Sequence, residues 1–218
     1  MKRIFIETKY QGELDISEEI ISKLPSKLIL AMPVQFLGFQ KQIQTALEKS
    51  GRKIELFQSQ HAKYPAQILG CDILKSNSTA DAFFYIGDGR FHPTALLYQN
   101  KILVYCYNPF TQQMNILEYT LLEKLEKKRK GLLIKFLEAK EVGVLATIKP
   151  GQSSFTNLEQ LRSKLEQQGK NVYIMLADEI NFNQLENFNF IQVWINTACP
   201  RIVEDFASLN SRDLEELY

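Results

Sequence analysis

The sequence predicts an α/β protein built from two similar, mainly parallel-sheet domains, residues 1–118 and 119–218. Three observations predict it. Short apolar runs alternate with longer stretches of helical periodicity, the pattern of parallel strands covered on both faces. The alternation runs through the first half of the chain and starts again near Tyr119. No Gly/Ser-rich linker marks the changeover, so the two domains are expected to pack rigidly.

In the first half, "RIFIE" (3–7) and "LILAM" (28–32) read as strands. Pro33 suits a first helical position, and "VQFLGFQKQIQTALEKSG" sets Phe36, Leu37, Gln40, Ile43 and Leu47 at helical spacing, with Gly51 as the stop. "RKIELF" and "DAFFYIGDG" are the next strands. "KILVYCYNP" and "MNILEY" form a β pair around the turn at Asn108-Pro109.

In the second half, "YTLLEKLEKKRKGLLIKFLEAK" places Leu121, Leu122, Leu125, Leu132, Leu133, Phe136 and Leu137 along one helical stripe. The charge run Glu123 to Lys130 reads as that helix's solvated face. "VGVLATI" is a strand. Thr156 with Glu159 makes a capping box for the next helix, which Gly169 ends. "NVYIML" and "IQVWIN" are further strands.

The chain of 218 residues has 45% hydrophobic and 23% charged residues, with 26 basic against 25 acidic side chains. A formal charge of +1 provides no broad electrostatic pull toward nucleic acid or a membrane surface. The N-terminus lacks the apolar segment of a signal peptide, and no stretch approaches the ~20 apolar residues of a membrane helix. A cytosolic protein is expected. Three cysteines, Cys71, Cys106 and Cys199, argue against a disulfide framework and leave free thiols, buried thiols or metal ligands.

Ligands of parallel sheets bind beyond the carboxyl ends of the strands. The loops of interest are therefore "PAQILGCD", "GDGRFHP", "KPGQSS" and "NTACPR". Cys71 follows Gly70, where a missing Cβ lets the backbone approach a bulky ligand. Cys199 precedes Pro200, which can fix the first turn of a helix. A thiolate there gains from the helix dipole and from the positive charge of Arg201. On spacing alone, 128 residues apart (199 − 71), a buried and inert role is the favoured reading for both cysteines. Cys106 alternates within a strand and reads as a core residue. Gly87 and Gly89 bracket Asp88 in a tight loop whose amides can face an anion. Arg90 offers a fork for a carboxylate, and His92 a proton or hydrogen bond. The bland alternative is a tight turn with Arg90 on the surface and His92 capping a helix begun by Pro93. His61 is isolated and reads as structural. "TIKPGQSS" has amides before a helix but not the GxxxxGK[ST] order, and GxGxxG, HExxH and GxSxG are all absent.

Taken together, "PAQILGCD", "FYIGDGRFHPTAL", "YNPF", "TIKPGQ", "LADEI" and "NTACPRI", in this order, resemble the 2-(3-amino-3-carboxypropyl)histidine synthase family of diphthamide synthesis. The resemblance implies domains arranged around a pseudo-threefold axis, three in the family, with this chain equivalent to the second and third. It implies a 4Fe–4S cluster, with Cys71 and Cys199 as two of its thiolate ligands, and S-adenosylmethionine bound to the cluster's unique iron. It implies transfer of a 3-amino-3-carboxypropyl group, as a radical, to a histidine of translation elongation factor 2. By position and charge, Gly87, Asp88, Gly89, Arg90, His92, Gln152 and Arg201 are the candidates for holding S-adenosylmethionine. The family's first domain, with its own cysteine, has no counterpart here. The third ligand is then expected from a separate first-domain protein, from a homologous subunit or from a non-cysteine side chain. Alternatively, the chain is a non-catalytic partner of a full-length homologue.

Overall fold

Each half of the chain builds its own sheet. The computed structural model describes residues 6–58, 62–71, 78–98, 100–149 and 155–217, without the side chains of 155, 156 and 216. It divides into two units, Met1–Leu122 and Glu123–Tyr218.

The first unit holds five strands: β1 (Lys27–Ala31), β2 (Lys53–Leu56), β3 (Ala82–Ile86), β4 (Leu103–Asn108) and β5 (Gln113–Leu117). Their order is β2-β1-β3-β4-β5. All neighbours are parallel except β4 and β5, which form an antiparallel hairpin. The central strands β1 and β3 are apolar along almost their whole length because both faces are covered. Leu28, Leu30, Phe84 and Ile86 pack with Phe36, Ile43 and Leu47. By strand alternation, Phe83 and Tyr85 face the other way. On that side α3 (Phe91–Leu97) packs near β4 and buries Ala95, Leu96 and Leu97.

Several expectations change here. The run at 3–7 falls largely outside the described residues, and its described part, Ile6 and Glu7, is not strand; Ile6 lies in solvent. A short helix, α1 (Glu18–Ser22), is capped by the Ser17 hydroxyl, which accepts from the Ile20 amide. Pro33 is not a first helical residue. It stays extended and caps a 3₁₀ turn, Val34–Phe39, before α2 (Gln40–Lys49) begins. Gly38 in that turn weakens the α conformation, yet Phe36, Ile43 and Leu47 are all buried. Gly51 ends α2 at positive φ, with the Arg52 amide donating to the Leu47 carbonyl.

The second unit holds β6 (Glu141–Thr147), β7 (Asn171–Ala177), β8 (Val193–Asn196) and β9 (Leu209–Asn210), all parallel, in the order β7-β6-β8-β9. One face packs Val142, Val144, Val193 and Ile195 with Phe136, Leu158 and Leu165. The other packs Leu145 and Trp194 with Leu185 and Ile191. The helices are α4 (Glu123–Glu138), α5 (Phe155–Gln167), α6 (Phe182–Leu185) and α7 (Ile202–Asp205).

The expected stripe on α4 is too broad. Phe136 is buried, but Leu137, one residue or about 100° further round, is exposed with Ile134. Leu121 is also exposed, in a 3₁₀ turn (Tyr119–Leu122) that precedes α4. Nor is the charge run simply solvated. The Lys128 ammonium donates to the Val203 carbonyl, and Arg129 pairs with Glu126 and Asp213. Lys170, itself buried, donates to the Phe136 and Ala139 carbonyls and closes the end of α4. Thr156 lies inside α5, which starts at Phe155, so it is not the N-cap. No helix among the described residues is long and apolar enough to cross a membrane.

Candidate functional site

In the first unit, three chain segments meet at the carboxyl ends of the strands. The loop after β3 starts at Gly87, whose amide donates to the Tyr107 carbonyl. A Cβ on Gly87 would collide with the Tyr85 hydroxyl and crowd Pro33 beyond β1. Gly89 sits at φ +69°, a conformation that favours glycine. The Asp88 carboxylate accepts from the Gly89 amide at 2.8 Å and from the Asn108 amide group at 2.8 Å. Asn108 in turn accepts from the Phe110 and Thr111 amides in the β4–β5 turn. Asp88 therefore holds its own loop in shape, while Arg90 projects into solvent just before α3. The helix begins at Phe91 rather than Pro93, so His92 lies inside its first turn, half-buried and edge-on to the Phe91 ring at 5.5 Å.

The segment 62–71 crosses the end of β1. Met32 donates to the Ala66 carbonyl and accepts from the Ile68 amide. Gln67 turns its carbonyl oxygen to the Lys63 and Tyr64 amides. This path carries Gly70 against the Phe91 ring, which occupies the space a Cβ would need. Cys71, the next residue, is exposed. Cys71 is thus brought beside the start of α3, next to the loop bearing Gly87, Asp88, Gly89 and Arg90.

Cys106 differs from Cys71. It sits within β4 opposite Tyr85 in register, and burial pushes its thiol up to about 12, opposed in part by the charge of Arg90. A thiol held protonated is a poor metal ligand.

In the second unit, Asn196 ends β8 and is only 1% exposed. It accepts from the Ala198 amide at 3.0 Å and donates to the Cys199 carbonyl at 2.9 Å and to the Asn210 side chain at 2.8 Å. Asn210, on β9, donates to the Pro200 carbonyl. Thr197 anchors the loop to the Leu145 carbonyl through both its amide and its hydroxyl. The main chain around the half-buried Cys199 is therefore pinned from two strands. Two expectations are corrected. Pro200 does not open the following helix; α7 starts at Ile202 with Arg201 as its cap and has only four residues, too few for a strong dipole. Arg201 is 5% exposed and makes a two-pronged ion pair with Glu204, so its charge is directed to that carboxylate. Gln152 and His61 lie outside the described residues.

Asn196 and Asn210 were not singled out from sequence, and Asn108 was read only as a turn residue. The signal for Asn196 was a polar residue closing an apolar run; Asn210 carried none. Among the described residues no three His, Cys, Asp or Glu side chains gather in metal-binding geometry. Cys71 is nonetheless suited to holding one iron, as an accessible thiol whose neighbouring glycine is closely packed. Cys199 is suited to the same task on its braced loop.

The fold and these loops define a class: tandem parallel α/β units, each with a cysteine beyond the strand ends. Comparison with known proteins narrows it. Residues 1–208 match the model of the family described as "Putative diphthamide synthesis protein", and the chain belongs to that diphthamide synthesis family. It is 26% identical to the 2-(3-amino-3-carboxypropyl)histidine synthase of Pyrococcus horikoshii, over 85% of this chain and 53% of the relative. It is 30% identical to subunit 1 of the same enzyme from Schizosaccharomyces pombe, over 93% of this chain and 48% of the relative. Its fold is similar to the crystal structure of Dph2 from Pyrococcus horikoshii, with a TM-score of 0.76 and 25% identity over 90% of this chain and 58% of that one. A second Dph2 crystal structure, with a 4Fe–4S cluster, matches at a TM-score of 0.75. The chain spans about half the length of the curated relatives it matches.

Proposed function

We propose that the chain acts in the first step of diphthamide synthesis, as an enzyme or a subunit of one, transferring a 3-amino-3-carboxypropyl group from S-adenosylmethionine to a histidine of translation elongation factor 2. The observation that carries this reading is the placing of an accessible Cys71 beside the Gly87–Arg90 loop, in a chain similar to a protein crystallised with a 4Fe–4S cluster. Cys71 and Cys199 are the residues assigned to hold such a cluster, one thiolate each. When bound, the cluster supplies the single electron that breaks a C–S bond of the sulfonium. A third ligand is supplied from outside these two units.

The chain's own residues bind and orient. Arg90, exposed at the strand ends, takes the methionyl carboxylate. The Gly87–Gly89 backbone, shaped by Asp88 and Asn108, lets the ligand approach closely, with His92 beside it at the start of α3. Because Arg201 is committed to Glu204, its part is to brace the Cys199 loop rather than to grip the ligand.

Anaerobic reconstitution with iron and sulfide tests the reading. Wild-type protein, alone or with a candidate first-domain protein, is expected to develop the broad absorbance near about 400 nm of thiolate-bound clusters. Cys71→Ser and Cys199→Ser each lose it and Cys106→Ser keeps it. Equal absorbance in all three variants would overturn the assignment. A second reading, a non-catalytic partner of a full-length homologue, is favoured by the lack of a third clustered ligand among the described residues. It predicts that the chain raises the homologue's activity while both cysteine variants remain as effective as wild type.

A further inference from the structure

Phe91 is set apart from other exposed apolar side chains, such as Phe110 and Leu137, by what it touches. It is 51% exposed, although α3 carries Ala95, Leu96 and Leu97 into the core. Its ring rests on Gly70, the residue before Cys71, and meets His92 edge-on. Exposure alone needs no explanation; the contact does, because the ring fills the space beside Gly70 and so lies against the main chain that carries Cys71.

We propose that Phe91 is a positioning residue for Cys71: its ring fixes the Gly70–Cys71 main chain and forms an apolar wall that keeps water from the metal-bound sulfur. The inference rests on the assignment of Cys71 as a cluster ligand. It explains the glycine at position 70, since a Cβ there would displace the ring. It also explains how an exposed cysteine can hold an oxygen-sensitive group: the shield comes from the first residue of α3. Residues around metal ligands set affinity, solvent access and potential in this way. Water admitted near the sulfur stabilises the more negative, reduced state and moves the potential upward.

The test compares Phe91→Ala, Phe91→Leu and Gly70→Ala in the full chain, using the complex with a first-domain protein if that is what takes up the cluster. Phe91→Ala is expected to shorten the lifetime of the ~400 nm absorbance in air about 10-fold, the lower end of losses from outer-shell changes, and to raise the midpoint potential. Phe91→Leu recovers most of both, and Gly70→Ala reproduces the alanine variant. In the metal-free protein, iodoacetamide labelling mapped to each cysteine gives an independent readout. Phe91→Ala speeds modification of Cys71 and leaves Cys199 unchanged. Unchanged labelling of Cys71, or an unchanged lifetime and potential, would overturn the proposal. If wild type takes up no cluster in either form, the functional reading fails, while the labelling still decides whether Phe91 governs Cys71.

Discussion

Replacing Asn196 by alanine should loosen the Cys199 loop at a calculable cost. The side chain is almost wholly buried and makes three hydrogen bonds, to the Ala198 amide, the Cys199 carbonyl and Asn210. The Cys199 carbonyl retains a second donor, the Ile202 amide, so two groups are orphaned: the Ala198 N–H and the Asn210 oxygen. At roughly 1–3 kcal/mol for each buried group left unpaired, less what entering water recovers, the loss is about 3 kcal/mol. Trp194, the only tryptophan in the chain, lies two residues upstream on β8 and reports on this unit. Urea unfolding followed by its fluorescence should show a midpoint lowered by about 1–3 M for slopes of about 1–3 kcal/mol per M. Asn196→Asp keeps the volume but turns an oxygen toward the Cys199 carbonyl and the Asn210 oxygen, and should lose a similar amount near neutral pH. A loss below about 0.5 kcal/mol in both variants, within the range of ordinary surface substitutions, would refute the view that this amide network holds the loop.

Other expectations are as direct. Labelling at pH 8 should modify Cys71 quickly and Cys106 slowly, because burial raises the Cys106 thiol to about 12. The folded state holds that proton more tightly than the unfolded chain, so stability is unaffected below the unfolded value of about 8.5 and falls as pH rises from there toward 12. Cys106→Ala should remove that component of the alkaline slope. Gly143→Ala places a Cβ against the Trp194 ring; it should shift the emission of Trp194 and cost about 1–3 kcal/mol, and an unchanged spectrum would contradict the packing. Cys71→Ser and Cys199→Ser should leave the unfolding free energy in urea within about 0.5 kcal/mol of wild type, so that their loss of absorbance can be read as loss of ligands.

Much of the architecture was legible because strand burial leaves a direct trace in sequence. "LILAM" and "AFFYI" are apolar at every position, as strands covered on both faces must be. Gly51 and Gly169 marked helix ends because each takes a positive φ. Errors arose where two conformations are close in energy or where an apolar arc exceeds the covered one. Pro33 and Gly38 tip the start of a helix into a 3₁₀ turn, and Leu137 falls beyond the buried side of α4.

By itself, the sequence determined the parallel α/β class and the membership of Cys71 and Cys199 in loops that follow apolar runs, because periodicity and turn residues act over a few neighbours. Only the tertiary structure decided that Gly70 lies under Phe91, that Asn196 and Asn210 brace the Cys199 main chain, and that Arg201 turns to Glu204. The first two are contacts between residues 21 and 14 positions apart (91 − 70 and 210 − 196), and such contacts depend on how strands and loops pack. The third depends on which way a side chain points, and local sequence pattern does not encode that.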